Sequence, residues 1–363
     1  MKNYAKKMIW LFMISIVVFS ITGCKKNKEI EERSEIVAEQ EKDDEKEKEL
    51  EVIPENQNIL TGLADLSEEA IGKRPVAVMV NNVMDAMPQY GVEQADVIFE
   101  IPVEADLTRL MALYADYTKV PKICAVRSCR YYFPAISEGF DAFYVHWGCD
   151  PTIEEYMASL NLDKYDGMSN PGELFGRDQE RLNSGYSLEH TGYFDGTKFA
   201  AFIQSQGTRT DLEADKTGTA FVFNGTNEQL KPTEDVCTNI NINFGGQTAG
   251  FTYDESSKTY KKTNCGEKHI DVKTGNQLAF TNVIVLETTF SIRDDVGRKN
   301  VNITGGNDYA GYYISNGAIQ KIFWLKESEA SRLRFFDENG EEIAINRGKS
   351  YIAFNYAGQT TFE

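Results

Sequence analysis

Short apolar runs, each bounded by polar or turn-forming residues, recur along the chain between positions 76 and 147. Runs of this length predict buried strands, because a helix of the same apolar character would be longer. Proline, glycine and polar residues separate the runs, as around Pro88 and Gly91. The pattern therefore predicts strands at 76–80, 96–101, 108–115, 122–126 and 141–147.

The connections between these strands predict their directions. The second and third strands are joined by a short connection, and so are the third and fourth, which favours antiparallel neighbours. The connection at 127–140 includes a predicted short helix at 134–139 and is long enough for a parallel crossover. The second, fourth and fifth strands are then expected to run in one direction, with their carboxyl ends at one edge of the sheet.

A helical pattern follows the fifth strand. Asp150 suits the N-cap position and Pro151 the first helical position. The apolar residues after them recur at the spacing of one helix face: Ile153, Tyr156, Met157 and Leu160. The sequence predicts a helix here and a further helix at 197–206.

From about residue 219 the pattern becomes one of short strands separated by turns. The Asn316-Gly317 pair between two apolar runs is a strong hairpin signal. Other turns and strands are predicted at 253–260, 273–276, 282–287, 337–341 and 351–355. The predicted fold class is α+β / α/β. A mixed sheet with helices forms a first domain, 59–215, and a smaller, mostly antiparallel β domain follows at 216–363.

The first 58 residues have a different composition. Lys2, Lys6 and Lys7 precede an apolar run at 8–21, which is typical of a secretory signal and shorter than the usual ~20-residue membrane span. The run ends in Ile21-Thr22-Gly23-Cys24, which resembles the lipobox of bacterial lipoproteins. That resemblance implies a signal peptide at 1–23, acyl chains such as palmitate on Cys24, and anchoring at the outer face of the cytoplasmic membrane.

Residues 24–58 are rich in Glu and Lys and poor in aromatic residues. Such a segment buries too little apolar surface to offset the entropy of the chain, so it is predicted to be a disordered tether.

Charge and cysteine content exclude several functions. The formal net charge of −18 is unfavourable for binding nucleic acid, which depends on neutralising phosphates. Beyond Cys24 the chain has Cys124, Cys129, Cys149, Cys237 and Cys265, an odd number without the CxxC spacing of zinc sites. We expect no metal and no cofactor. The serine-x-x-lysine, HExxH and GxSxG signatures are also missing.

Charged residues cluster where the predicted strands end or begin. Carboxyl ends of strands are where α/β sheets tend to bind ligands, and arginines near a helix N-terminus suit a phosphate or carboxylate. Arg127 with Arg109 is the favoured pair, because Arg127 and Arg130 have opposite parity in an extended chain. The predicted anion-binding residues are Glu100, Glu104, Arg109, Arg127, Arg130, His146 and Gly148.

Two structural interpretations compete with this site. Glu100, Glu104 and Arg109 could instead form an ion-pair network that closes a loop, and His146 could be a satisfied histidine at a strand end. Asp150 also opposes an anion site, because its carboxylate would occupy part of the positive helix terminus.

Several motifs, in this order, resemble the YerB-type bacterial lipoproteins, a family built on a domain of unknown function. They are the segments at 74–82, 94–100, 108–109, 126–130 and 141–146. The resemblance extends from about Lys73 to the C-terminus. It departs from the family where a Pro-His-Asn element is usual, since this chain has Phe175-Gly176-Arg177-Asp178 and Glu189-His190-Thr191 there. The family brings no established reaction.

The sequence thus favours a membrane-anchored extracytoplasmic protein that binds or scaffolds components of the cell envelope, with an anionic ligand or another envelope protein as partner. The alternative is an envelope enzyme that acts on a phosphorylated lipid carrier or wall glycopolymer. Its layout has a weak similarity to the LytR-CpsA-Psr transferases, which bind pyrophosphate through arginines.

Overall fold

The structure is a computed structural model that describes residues 54–169 and 173–363. The residues that it describes belong to one compact unit, 53–363. The predicted signal peptide, Cys24 and most of the predicted tether lie outside the described residues. Within them, no helix is both long enough and apolar enough to span a membrane.

The fold includes the last residues of the segment 24–58 that the sequence predicts to be a tether. Gln57 forms a β-bridge with Ala64, and Asn58 is buried. The Asn58 side chain donates to Asp65 and to Asp96 at 3.0 and 3.2 Å, which ties this segment to the residue preceding the second strand.

The strands of the first half of the fold are β1 Val76–Asn81, β2 Val97–Pro102, β3 Thr108–Tyr114, β4 Lys122–Cys124, β5 Phe143–His146, β6 Lys164–Asp166, β7 Phe175–Arg177 and β8 Gly192–Asp195. Its helices are α1 Phe133–Glu138, α2 Pro151–Ser159, α3 Gln179–Asn183 and α4 Phe199–Ser205. Short 3-10 turns lie at Glu68–Ala70, Met84–Ala86, Leu188–His190, Gly196–Lys198 and Ala214–Lys216. The predicted helices after the fourth strand, after Asp150 and near 197–206 are confirmed.

The second half of the fold consists of β9 Asn239–Asn243, β10 Thr248–Asp254, β11 Thr259–Asn264, β12 Glu267–Lys268, β13 Ala279–Phe280, β14 Asn282–Thr288, β15 Phe290–Ile292, β16 Lys299–Val301, β17 Gly305–Ser315, β18 Ala318–Leu325, β19 Arg334–Phe336, β20 Ser350–Tyr356 and β21 Thr360–Phe362. The predicted Asn316-Gly317 hairpin is confirmed, because Ser315 pairs with Ala318 across it.

Among the described residues, ten strands form one mixed sheet in the order β19-β18-β17-β14-β20-β2-β3-β1-β5-β6. Alternate residues of β1 enter two different cores, as a strand buried on both faces requires. Ala77 and Met79 pack with helices α1 and α2. Val76, Val78 and Val80 pack with α4 and with a second sheet built from β9 to β13 and β21.

The second sheet is antiparallel, as predicted for the C-terminal part. In the mixed sheet, β14 pairs with β20 in parallel. The parallel pairing of β2 with β20 joins strands of the predicted segments 59–215 and 216–363 in one sheet. The boundary near residue 216 therefore stays a prediction drawn from the change in sequence pattern.

The predicted place of the fourth strand is wrong. Both edges of β3 are taken, by β1 and by β2, so β4 finds no room beside it. It pairs instead with β8 in a three-stranded sheet with β7. The chain then returns to the end of β1, where Asn81 N–H donates to Ala125 O at 2.9 Å and Arg127 N–H donates to Met79 O at 2.9 Å. The turn at 127–130, called the arginine-bearing turn because it carries Arg127 and Arg130, therefore still reaches the expected edge of the mixed sheet.

Candidate functional site

The ends of three parallel strands define one edge of the mixed sheet. β1 runs parallel to β5 and antiparallel to β3, and β2 is also antiparallel to β3. Their last residues, Asn81, Pro102 and His146, therefore lie at the edge where β3 begins with Thr108 and Arg109. Except for β4, this is the edge that the sequence predicted.

Glu104 forms ion pairs with two of the predicted arginines, Arg109 and Arg130. Arg109 Nη2 lies 3.0 Å from Glu104 Oε1, and Arg130 Nε lies 2.5 Å from Glu104 Oε2, with a second contact through Arg130 Nη2. Arg109 also donates to Ser128 O at 2.6 Å and Arg130 to Cys129 O at 2.7 Å. Burial alone would raise the pKa of Glu104, but the hydrogen bond from Arg130 and the charges of both arginines lower it to about 2.

This cluster joins the β2–β3 turn to the turn at 127–130 through donors of both guanidinium groups. The Arg109 side chain is only 5% exposed, and neither arginine lines the neighbouring cleft. The structure thus gives Arg109 and Arg130 local partners, and their role in binding a ligand stays a prediction.

The Glu100 side chain points into the core between the two sheets. Its carboxylate is fully buried, 3.2 Å from Lys262 Nζ of β11, and accepts from Tyr351 Oη at 2.8 Å. Asn82 and Thr108 also donate to it at 2.8 Å. The structure therefore does not bring Glu100 together with Glu104.

The edge opens into a cleft of about 570 Å³. Its charged lining residues are Arg127, Glu154, Asp166, Arg177 and Glu189, and Trp147 lines it as well. The guanidinium carbon of Arg177 lies 4.2 Å from the centre of the Trp147 ring, a cation–π contact. Trp147 is held by close packing, since a Cβ at Gly167 or Gly192 would come within 2.6 or 2.8 Å of its ring.

Arg127 and Arg177 are the cationic groups of this cleft. Burial, and then the like charge of Arg127, lower the pKa of Arg177. Arg127 pairs with Glu189, whose side chain is 50% exposed, while Arg127 Nε is buried and has no hydrogen-bond partner in the part of the chain that the structure describes. Arg177 donates from Nη1 to Leu188 O at 2.7 Å, and no carboxylate lies within ion-pairing distance of it among the described residues.

The backbone donors that the sequence offered to a ligand have partners within the protein, and the role of Gly148 in binding a ligand stays a prediction. Gly148 N–H donates to Asp166 Oδ1 at 2.7 Å, and the positive φ of +78° at Gly148 suits a residue without a side chain. At the N-terminus of α2, Asp150 Oδ1 accepts from the N–H groups of Thr152 and Ile153 at 3.0 and 3.2 Å. The helix terminus is therefore capped by its own carboxylate, as the competing interpretation expected.

His146 is buried below the cleft. Its Nδ1 lies 3.2 Å from Gly148 O, so Nδ1 carries the proton and Gly148 O accepts it. Burial lowers the pKa of His146, which favours the neutral ring. His146 Nε2 has no hydrogen-bond partner in the described part of the chain. His146 therefore supports the Gly148 turn and does not line the cleft.

Arg177 is the residue that the sequence interpretation missed. It ends β7, a strand of three residues with Phe175 as its one large apolar side chain, so no periodicity placed it near Arg127. Arg177 comes close to the arginine-bearing turn because β7 pairs with β8, and the sequence did not predict that pairing.

The described residues offer little for covalent or metal chemistry. Burial raises the pKa of the Cys129 thiol to about 12 and that of Cys149 to about 11, so neither is a ready nucleophile at neutral pH. In residues 54–169 and 173–363, no three His, Cys, Asp or Glu side chains come together to hold a metal ion.

Comparisons with known proteins agree on one relationship. The family described as "Protein of unknown function (DUF3048) N-terminal domain" matches residues 60–209, and its C-terminal domain matches residues 240–352. The putative lipoprotein YerB of Bacillus subtilis (strain 168) is 28% identical over 298 residues, which cover 80% of this chain and 81% of that protein.

A solved crystal structure of the YerB protein from Bacillus subtilis has the same fold. It superposes with a TM-score of 0.72 at 24% identity, covering 84% of this chain and 98% of that chain. The match spans both halves of the fold.

Proposed function

This chain belongs to the DUF3048 family, and on that premise we propose that it is a lipid-anchored protein of the cell envelope whose strand-end cleft binds an anionic envelope ligand. The name of the Bacillus relative, a putative lipoprotein, supports the anchor, and so does the lipobox-like Ile21-Thr22-Gly23-Cys24. Two or more acyl chains on Cys24 would hold the protein stably at a membrane.

A tether between Cys24 and Pro54, as the composition of that segment predicts, would give the folded part freedom to reach ligands. A flexible chain of about thirty residues has a root-mean-square span of roughly 30 Å. The protein can therefore search the layer just outside the membrane while remaining attached to it.

The observation that carries the binding proposal is the pair Arg127 and Arg177 in one cleft. Two cations in one partly buried cleft repel each other, and an anion between them removes that repulsion. Both side chains retain unused donors, and the half-exposed Glu189 can be exchanged for a ligand because surface ion pairs contribute little. Arginine forks bind phosphate and carboxylate groups in a bidentate manner.

The other lining residues favour an anionic saccharide over a bare anion. Asp166, Glu154 and Ser128 also line the cleft, and their oxygens can accept hydrogen bonds from sugar hydroxyls. A volume of about 570 Å³ accommodates more than a phosphate group. The ligand class is therefore a phosphorylated or carboxylated glycan of the envelope.

The test is a calorimetric titration of the full chain, held in phospholipid nanodiscs, with pyrophosphate and with anionic cell-wall fragments. We expect Arg127→Ala and Arg177→Ala each to weaken binding by roughly tenfold or more, because a charge-assisted hydrogen bond is worth about 1.5–3 kcal/mol. Arg127→Lys should also weaken binding, because an ammonium does not replace the guanidinium fork. The matched control is Arg334→Ala, an exposed arginine paired with Glu342.

Three results would contradict the binding proposal: no binding by the unaltered protein, an equal loss with the Arg334 control, or lower melting temperatures with unchanged affinity. Turnover of labelled lipid-linked glycan in a separate incubation with the same protein would instead favour the enzyme alternative.

The anchor has its own test, metabolic labelling with a fatty-acid probe. We expect the label on the unaltered chain and its loss in Cys24→Ala. Label retained in that variant would contradict the anchor without bearing on the cleft.

A further inference from the structure

A second pocket, of about 390 Å³, lies between the β1–β2 connection and the segment that follows β11. Most of its lining is apolar and includes Met84, Met87, Pro88, Ile270 and Val272, together with the buried His269. Met84, Ile270 and Val272 are exposed although they are apolar, and Val272 is 51% exposed. The pocket is therefore open to solvent and separate from the arginine cleft.

The hydrogen bonds of Gln89 determine which nitrogen of His269 carries the proton. Gln89 Nε2 donates to the backbone carbonyl of Asn81, so its other side-chain atom, Oε1, is the one that faces His269. Gln89 Oε1 lies 2.7 Å from His269 Nε2. Because an amide oxygen only accepts, His269 Nε2 must donate, and the proton is on that nitrogen.

The opposite nitrogen of the ring is then an unused acceptor. His269 is 2% exposed, and burial, with a further effect from the nearby Lys262, lowers its pKa well below the ordinary value, so the ring is neutral. With the proton on Nε2, Nδ1 has a lone pair, and Nδ1 is buried without a hydrogen-bond partner in the described part of the chain. Leaving a buried polar atom unpaired is costly, and such atoms in native proteins call for a partner.

We propose that this pocket binds a small, uncharged, mostly apolar molecule that carries one hydrogen-bond donor, which it donates to His269 Nδ1. The apolar lining takes the body of the molecule, and a hydroxyl or N–H group supplies the donor. The two charged lining residues, Glu267 and Lys268, have opposite signs and so offer no net charge to an ion, and a neutral ligand fits the apolar lining best.

The test compares indole with 1-methylindole, which differ in the N–H donor and retain the same ring system. Binding is followed by NMR of carbon-13-labelled methionine methyl groups in the full chain held in nanodiscs. We expect indole to shift the Met84 and Met87 signals in a saturable way, while Met111, buried in the core, stays unchanged. We expect 1-methylindole to bind about tenfold more weakly, as the loss of one hydrogen bond implies.

Two variants check where and how indole binds. Val272→Asp should abolish the Met84 and Met87 shifts, whereas Val296→Asp, a similarly exposed valine at the tip of the β15–β16 hairpin, should leave them unchanged. His269→Phe should make the two ligands bind equally. Because His269 is buried, His269→Phe can unfold the protein. Val272→Asp and its control Val296→Asp change exposed residues, so they test the binding site without that complication.

Three outcomes would overturn the proposal. They are no saturable shift with indole, equal affinity of the unaltered protein for indole and 1-methylindole, and an unchanged response in Val272→Asp.

Discussion

Glu104 is the residue on which the arginine-bearing turn depends, because its one carboxylate serves two largely buried guanidinium groups. A buried cation without a partner is far more costly than an exposed one, since it has lost its hydration. The sequence placed Arg109 and Arg130 at the correct edge of the sheet. It could not show that both turn toward Glu104, because side-chain direction after a strand depends on the path of the turn.

We predict that Glu104→Ala lowers the free energy of unfolding by about 3–5 kcal/mol, the typical cost of breaking a buried ion pair. Glu342→Ala is the control, and removing its surface pair with Arg334 should cost about 1 kcal/mol or less. Urea unfolding at pH 7 measures both. A loss for Glu104→Ala no larger than that of the control would contradict the prediction.

The Glu104 carboxylate also makes the stability of the unaltered protein, relative to Glu104→Ala, depend on pH. The folded pKa of Glu104 is about 2, below its ordinary value of 4.5, so its stabilising effect is complete above about 4.5 and is lost as the pH falls toward 2. The difference between the unaltered protein and Glu104→Ala should therefore shrink across that window. An unchanged difference at low pH would show that the carboxylate is not the source of the effect.

At the scale of elements, the buried pair Glu100–Lys262 connects β2 of the mixed sheet with β11 of the second sheet. The sequence predicted β2 and a hairpin at 253–260, whose end leads into β11, but not the contact between the two strands. Polar residues occupy both faces of β11, as in Lys261 and Lys262, so the pattern could not show which lysine points inward. β4 illustrates the same limit, because local pattern gives a strand but not its neighbours.

We predict that Lys262→Met costs about 3–5 kcal/mol, because it leaves the Glu100 carboxylate buried without its cation. Lys261→Met, one residue earlier on the opposite face of β11, should cost less than about 1 kcal/mol. Thermal or urea unfolding of the two variants provides the comparison. Similar losses in both would mean that the buried pair does not hold the two sheets together.

At the scale of the whole molecule, the folded part begins before residue 59. Asn58 is buried, and its side-chain oxygen accepts from Leu60 N–H at 2.9 Å while its amide donates to Asp96. The sequence separated charged tether from fold by composition, which changes gradually here. Composition could not reveal that one asparagine fixes the start of the fold.

We predict that a chain starting at Pro54 unfolds at the same temperature as the full chain, whereas one starting at Ile59 unfolds at a lower temperature. The second chain loses the Asn58 hydrogen bonds and leaves buried groups unpaired, which costs about 1–3 kcal/mol for each group. Differential scanning calorimetry measures both. Equal melting temperatures for the two shortened chains would contradict the account of Asn58.

The central claim, that Arg127 and Arg177 hold an anion between them, is tested most directly by a crystal structure determined after soaking with pyrophosphate. The account predicts pyrophosphate between the two guanidinium groups, with the Glu189 carboxylate moved away from Arg127. An intact Arg127–Glu189 pair beside an empty cleft, or pyrophosphate bound at Arg109 and Arg130 instead, would contradict it.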